Sequence, residues 1–291
     1  MFAVLDPVLS PNPRKRAVEK FWLAYTPVWG VISAIVMIGG LGERWGDLGL
    51  MIYGATLGLA AAIGPVVFRP AEDRDVPFWR STAFSMSAAV VVVSFGLNYT
   101  QTPYFWDVLH MHYGFRVSIL IDDNPVFLYL LTIAYFATYS ALTMMTLRLI
   151  RKSLASSPVL ANVLGFSLAP LAMAFLETAM NANPFTTRLF CYDDMRLMLW
   201  FGTLSYGIAF IFALPMWYFL DEFADRARVS VATVLVWGAA GLYGDLLVLD
   251  LLRYHVAPHV TVVEEGARNM GDFGEGCLPA PPNQAPISGG N

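Results

Sequence analysis

The sequence predicts an all-α integral membrane protein whose seven helices form a single bundle. Only 14% of the 291 residues are charged, against about 25% in a soluble domain, and the mean hydropathy is +0.55. Seven apolar stretches each have the length of about 20 residues that crosses a hydrocarbon core of about 30 Å. We place them near residues 21–41, 48–68, 82–103, 126–147, 159–181, 197–219 and 231–252.

Basic residues in the connecting segments predict the orientation of the bundle. Of the 18 Lys and Arg residues, four precede the first stretch, three join the second to the third, three join the fourth to the fifth, and two join the sixth to the seventh. These twelve mark the cytoplasmic side, because short cytoplasmic loops are enriched in Lys and Arg. The N-terminus is therefore expected in the cytoplasm. The first stretch is too long for a signal-peptide core and is expected to be retained as a helix.

Three regions follow along the chain. Residues 1–20 are predicted to be a basic cytoplasmic segment, 21–260 the multi-pass membrane domain, and 261–291 a Gly/Pro-rich tail. The tail lacks the apolar residues that a packed fold requires, so we expect it to be disordered. Inside the domain, Asn124-Pro125 predicts the start of the fourth helix, with Asn124 as the N-cap.

Glu177 stands out because it follows a long apolar run, from Val163 to Leu176. An ionisable residue inside a membrane costs about 2.5–3.5 kcal/mol, which makes it a candidate functional residue. A desolvated carboxyl group favours its neutral form, the state that a general acid needs. The alternative is a structural role, in which Glu177 pairs with an arginine or hydrogen-bonds a neighbouring helix.

Other polar residues are expected to lie at the same, outer end of the bundle, and the cytoplasmic halves of the helices contain few polar groups. Asp250 precedes Arg253 by three residues, the spacing of an ion pair within a helix. Asp245 lies about 140° around the helix from Asp250, so both can face protein only in an enclosed helix. The remaining outer residues are Asn98, Tyr99, Asp122, Asp123, Asn124 and Asn181.

Several function classes are disfavoured by the sequence. The three lysines lie outside the apolar cores, which argues against a retinal Schiff base, and four histidines are too few for a membrane di-iron oxygenase. No P-loop, dinucleotide glycine motif or G-x-S-x-G motif occurs. We therefore expect no metal, cofactor, nucleotide or nucleic acid to bind. The 41 aromatic residues, 20 Phe, 13 Tyr and 8 Trp, include candidates to stabilise a carbocation by cation–π attraction.

The chain resembles the plant cycloeucalenol cycloisomerases over about residues 12–260. NPRKR at 12–16 and LAYTP at 23–27 are similar to the opening of that family. Further similar elements follow in the same order: Asn98-Tyr99, Tyr104-Phe105, Asn124-Pro125, T-L-R at 146–148, LET at 176–178, Asn183-Pro184, Pro215-Met216, Asp221-Glu222, and Leu249-Asp250-Leu251 with Arg253.

The resemblance implies a membrane sterol isomerase that opens the 9β,19-cyclopropane ring of cycloeucalenol to give obtusifoliol. This reaction needs a proton donor, stabilisation of a cation near carbon 9, and a base for the C8 proton. We predict Glu177 as the donor and Asp250 or Asp123 as the base or counter-charge. Asn98 and Tyr99 would orient the acid or hold the sterol 3-hydroxyl. The other predicted substrate-binding residues are Asn124, Asn181 and Arg253.

The chain also departs from the plant pattern, which leaves alternatives open. Plant members carry histidines after the Asn-Tyr pair and along the fourth helix, where this chain reads QTPYF and VFLYLLTIAYFATYS. A sterol- or lipid-binding protein without activity is therefore the alternative, and a proton-coupled transporter would need a polar path to the cytoplasm. The expected partners are a sterol drawn from the bilayer and membrane lipids. The composition is typical of a bacterial inner-membrane protein; a eukaryotic member would occupy the endoplasmic reticulum.

Overall fold

The computed structural model describes residues 5–263, and within them seven helices are long and apolar enough to cross a membrane. The protein is thus a multi-pass helical membrane protein, as the sequence predicts. These helices are α1 Pro13–Ile38, α2 Asp47–Val67, α3 Thr82–Thr100, α5 Val126–Ser153, α6 Pro158–Asn181, α7 Met195–Phe219 and α8 Val231–His255; the short α4 Thr102–Asp107 follows α3. A π-helical turn, Met198–Gly202, lies inside α7. Single 3₁₀ turns occur at Asp6–Val8, Ala71–Asp73, Phe78–Arg80 and Ala257–His259.

The first helix begins earlier than its hydropathy predicts. It starts at Pro13 rather than near residue 21, so basic residues expected in a separate segment lie in its first turns. Asn12 caps the helix, accepting a hydrogen bond from the Arg14 backbone N–H at 3.1 Å, and Pro13 occupies the first helical position. Hydropathy did not predict this part of the helix because it carries charged side chains. In the folded protein, residues far away in the chain neutralise these charges.

Helix α5 is the centre of the bundle, and α2 packs closely along it. Gly54 and Gly58 face α5, where an added Cβ atom would collide with the carbonyl oxygens of Phe127 and Leu130. Glycines four residues apart let two helix backbones approach closely in a membrane. Helix α8 packs against α3 and α7 and is otherwise largely exposed.

One end of the bundle is closed by four charged residues, which we call the inner ion network: the buried Lys15, Glu19 and Glu222, and Arg148, whose side chain is 9% exposed. Arg148 donates hydrogen bonds to both carboxylates, with its shortest contacts at 2.7 Å to each. Lys15 donates to the carbonyl oxygens at the end of α7, those of residues 217, 218 and 220, at 2.7–2.8 Å. The expectation of few polar groups at this end was therefore wrong.

Two small antiparallel sheets lie at the opposite end, which the sequence predicts to face outward and which we call the outer end. Strand β1, Met111–Tyr113, pairs with β4, Phe190–Tyr192, so the loop before α5 is joined to the loop before α7. Strands β2, Leu120–Ile121, and β3, Asn124–Pro125, form a hairpin. The sheets cover the end of the bundle where the sequence predicts the polar residues.

The hairpin corrects the predicted start of the fourth membrane helix. Asp122 and Asp123 have φ angles of 51° and 56°, as the two central residues of a type I′ hairpin turn require. Helix α5 starts at Val126 without a side-chain cap, and Asn124 is a strand residue whose side chain turns to α3. The predicted tail lies almost wholly outside the described residues, beyond 263.

Candidate functional site

A cavity lies between α3, α5, α6 and α7 beneath the outer sheets. About 70 Å³ of this space admits the centre of a water-sized sphere, and the space between the lining atoms amounts to about 650 Å³ when the open solvent at its mouth is included. It is lined by Leu97, Asn98, Gln101, Phe105, Met111, Tyr113, Leu128, Leu131, Thr132, Tyr135, Phe136, Glu177, Asn181, Phe190, Tyr192 and Tyr206.

Glu177 is the carboxylic acid on this lining. One carboxyl oxygen accepts a hydrogen bond from the Tyr139 hydroxyl of α5, and the other accepts one from the Asn181 amide at 2.9 Å. No described cation forms a salt bridge with it. The hydrogen bond to α5 is one that the structural alternative predicts, but the carboxyl group also faces the cavity. Glu177 and Asn181, both predicted site residues, are brought together here.

Asn98 and Asn124 form a second polar group at the cavity, joined to each other. The Asn124 amide donates to the Asn98 side-chain oxygen at 3.2 Å, and the Asn98 amide donates to the hydroxyl of Thr132 at 2.8 Å. Asn98 lines the cavity, whereas Asn124 lies behind it and is buried. The two asparagines hold α3 against the start of α5.

Aromatic rings form much of the remaining wall, as the predicted cation stabilisation requires. Seven of the sixteen lining residues are Phe or Tyr. The rings of Phe105 and Tyr206 are stacked with centroids 5.1 Å apart, and Tyr113 meets Phe190 edge to face at 5.7 Å. Burial raises the pKa of Tyr113 and of Tyr192 well above the ordinary value, so both phenols are neutral at physiological pH.

Besides Asn124, four further predicted site residues do not line the cavity. Tyr99 is 58% exposed on the outside of α3, and Asp123 lies in the hairpin turn. Asp250 is exposed on α8, and Arg253 forms its ion pair with Asp107 of α4. The predicted ion pair between Asp250 and Arg253 is therefore wrong, because α4 brings a better placed carboxylate. The catalytic and binding roles assigned to these four stay predictions.

Tyr139 and Gln101 are among the residues of the site that sequence reasoning missed. Tyr139 lies in a run of aromatic and small residues that reads as helix core, so nothing local marks it as the partner of Glu177. Gln101 follows the Asn-Tyr pair and lines the cavity, but its sequence context is that of a helix end. Among residues 5–263, no group of three or more His, Cys, Asp or Glu side chains is arranged to hold a metal ion.

A comparison with curated proteins bears on the family. The chain is 30% identical over 283 residues to a protein of Arabidopsis thaliana named cycloeucalenol cycloisomerase, a match that covers 93% of each chain. The chain belongs to the cycloeucalenol cycloisomerase family. No family model and no solved structure matches it.

Six of the motifs by which the chain resembles the cycloeucalenol cycloisomerases fall into two groups in the structure. NPRKR, T-L-R and Asp221-Glu222 contribute to the inner ion network or its immediate neighbours. Asn98, Asn124-Pro125 and LET lie at or next to the cavity. The family resemblance thus extends over both ends of the bundle.

Proposed function

We propose that the protein is a membrane sterol isomerase that opens the 9β,19-cyclopropane ring of a cyclopropyl sterol, in the manner of cycloeucalenol to obtusifoliol. The proposal is supported by the name of the Arabidopsis relative together with one observation. That observation is a single carboxylic acid, Glu177, on the wall of an otherwise aromatic and apolar cavity. An apolar sterol nucleus fits such walls, and a carboxyl group supplies a proton.

Glu177 is the proposed proton donor. Protonation of the cyclopropane carbon breaks its bond to C9, forms the C19 methyl group and leaves a cation near C9. Aromatic faces stabilise such a cation. Tyr139 and Asn181 donate hydrogen bonds to the carboxylate that forms, so its charge is held without a cation nearby.

Loss of the C8 proton completes the reaction and forms the double bond. Glu177 carries the only carboxyl group on the cavity lining within residues 5–263, so we propose that its carboxylate accepts this proton. One proton enters and one leaves, and the acid is regenerated. This replaces Asp250 and Asp123 as the proposed base, because neither lines the cavity.

We further propose that the sterol arrives from the bilayer through the groove between α7 and α8. About 380 Å³ of the groove admits the centre of a water-sized sphere, and it is lined by Phe212, Pro215, Met216, Phe219, Trp237, Ala240 and Gly241. Phe219 and Trp237 are exposed where lipid chains would lie. A groove of apolar and small side chains suits a rigid apolar ligand.

Conversion of the sterol is the test. The chain would be expressed in yeast, its membranes incubated with cycloeucalenol, and the sterols analysed by gas chromatography–mass spectrometry. We expect obtusifoliol, with one deuterium in the C19 methyl group when the reaction runs in D₂O. The matched control is the Glu177→Gln variant, which keeps the shape of the side chain and lacks the acid.

Absence of conversion by folded protein, with cycloartenol and its 4-methyl relatives also supplied, would overturn the isomerase. Retained sterol binding in that case would favour the alternative of a binding protein without activity. Full turnover by folded Glu177→Gln would show that another group donates the proton.

A further inference from the structure

Asp245 is a buried carboxylic acid that the proposed reaction does not use. It lies near the middle of α8, its residue is 0% exposed, and neither carboxyl oxygen has a hydrogen-bond partner among the described residues. Leaving a buried polar group without a hydrogen bond is unfavourable, and more so when the group is ionised. The polar side chain beside it is that of Gln101, and the two do not complete a hydrogen bond with each other.

A small cavity adjoins Asp245. About 10 Å³ of it admits the centre of a water-sized sphere. Leu97 lines both this cavity and the main one, so the two are neighbours. The small cavity has room for a hydroxyl group or one water molecule, but not for a ring system.

The side chain of Gln101 carries a second polar group without a hydrogen-bond partner among the described residues, and it lies where the two cavities adjoin. It lines the main cavity, its side chain lies beside the Asp245 carboxyl group, and its amide nitrogen has no hydrogen-bond partner among residues 5–263. Asp245 lines the small cavity and Gln101 the main one, so an acceptor and a donor that do not bond each other lie side by side where the two cavities adjoin. A hydroxyl group both donates and accepts, so it matches this pair.

We propose that Asp245 and Gln101 bind the hydroxyl group of the sterol whose ring system occupies the main cavity. This proposal rests on the proposed function, because that function names a sterol as the ligand. The hydroxyl group donates to a carboxyl oxygen of Asp245 and accepts from the Gln101 amide. The sterol is thereby held at one end by its polar group, with its rings beside Glu177.

The other charged groups near Asp245 do not provide an alternative partner. Arg253, two helical turns further along α8, is paired with Asp107. Asp250 is exposed on another face of the helix. The remaining lining of the small cavity is apolar or glycine: Val93, Leu97, Ala209, Phe212, Ala213, Met216, Trp237, Gly238, Gly241 and Leu242.

The test measures the binding of two sterols to three forms of the full-length protein in lipid nanodiscs. The sterols are cycloeucalenol and its 3-deoxy analogue; the forms are the unaltered protein, Asp245→Ala and the exposed-site control Asp225→Asn. The unaltered protein and Asp225→Asn should bind cycloeucalenol about 10- to 100-fold more tightly than the deoxy sterol, because a site built for a hydroxyl group rejects a ligand that lacks it. Asp245→Ala should lose this preference and bind the deoxy sterol as before.

Thermal unfolding of the same proteins without sterol gives a second readout. Removing an unpartnered buried carboxyl group should raise the Tm of Asp245→Ala by a few degrees. A structural carboxylate would give a lower Tm instead. Asp245→Asn, which keeps one acceptor oxygen, should show an intermediate preference for the hydroxyl group.

Two results would overturn the inference. Asp245→Ala could weaken the binding of both sterols equally, as a change in packing would. Or it could leave the affinity for both sterols unchanged, as expected if only a fixed water occupies the small cavity. Turnover measured in parallel separates this proposal from the isomerase. Conversion of cycloeucalenol with no change of preference would refute the hydroxyl site alone, whereas a changed preference without conversion would refute the isomerase alone. Absence of both would refute both.

Discussion

The two ends of the bundle both bury charged residues, but they treat them in opposite ways. In the inner ion network, two cations meet two carboxylates, and Arg148 binds Glu19 and Glu222 through paired hydrogen bonds. At the outer end, Glu177 has two neutral donors and Asp245 has no hydrogen-bond partner among the described residues. The inner residues are compensated by the protein itself, as is Asp107 at the outer end by Arg253, whereas Glu177 and Asp245 have no charged partner among the described residues.

The difference teaches how to separate structural from functional carboxylates in this membrane protein. A buried ion pair that is broken on one side leaves an uncompensated charge, so the inner residues should govern stability. A carboxyl group that faces a cavity can be neutralised with little loss of packing, so the outer residues should govern activity. The following variants test this separation.

The largest expected effect is the loss of turnover in Glu177→Gln. Removing a general acid lowers a rate by about 10²–10⁴-fold. The amide keeps the volume of the side chain, so the Tm should change little. Turnover and Tm measured on one preparation test both halves of the expectation, and a large fall in Tm would place Glu177 with the structural carboxylates.

Arg148→Met should instead lower the stability of the protein strongly. It leaves Glu19 and Glu222 buried without their shared partner, which costs about 3–5 kcal/mol. At about 2–4 °C for each kcal/mol, the Tm should fall by roughly 10 °C. Lys20→Met, which removes an exposed ion pair with Asp6, is the matched control and should leave the Tm unchanged. Equal Tm values for the two variants would refute the structural role of the network.

The network should also make stability depend on pH. Burial opposes ionisation of Glu222, but hydrogen bonds from Arg148 and the charge of Lys15 outweigh it and hold the pKa of this carboxyl group below its ordinary value of 4.5. With a lowered pKa, the stabilisation is fully present above pH 4.5 and is lost as the pH falls through the folded-state value. Tm values from pH 7 to pH 3 should show this fall, and Glu222→Gln should flatten it. A parallel fall in both proteins would point to other groups.

A smaller effect is expected in the groove between α7 and α8. Ala240→Phe places a ring in the groove and should lower kcat/KM for the sterol by about 10-fold, with kcat nearly unchanged, if the sterol passes there. Ala239→Phe, at an exposed neighbouring position outside the groove, is the matched control. Identical kinetics of the two variants would show that the sterol takes another route.

The smallest effect is expected for Asp250→Asn. The sequence predicts Asp250 as a catalytic base, yet in the structure Asp250 is exposed on α8 and lies outside both cavities. Turnover and Tm should therefore match those of the unaltered protein. A loss of turnover comparable to that of Glu177→Gln would restore the role that the sequence suggests.

Much of the candidate site was accessible from the sequence because the cost of placing polar groups in a membrane makes them conspicuous. Glu177 and Asn98 are visible within apolar runs, and both line the cavity. Asp250 is equally conspicuous in the sequence, but it does not line the cavity. Hydropathy marks a residue as unusual, but it does not say which face of the helix carries it toward the protein and which toward the outside.

The sequence by itself determined the seven membrane helices and the polar residues at the outer end, since both follow from local hydropathy over about 20 residues. Tertiary structure alone decided that α1 begins at Pro13, that Arg148 joins Glu19 to Glu222, and that Tyr139 binds Glu177. It also decided that Asp245 lies beside Gln101. The physical reason is that whether a buried charge is compensated depends on residues distant in the chain, and only the packing of the helices brings those residues together.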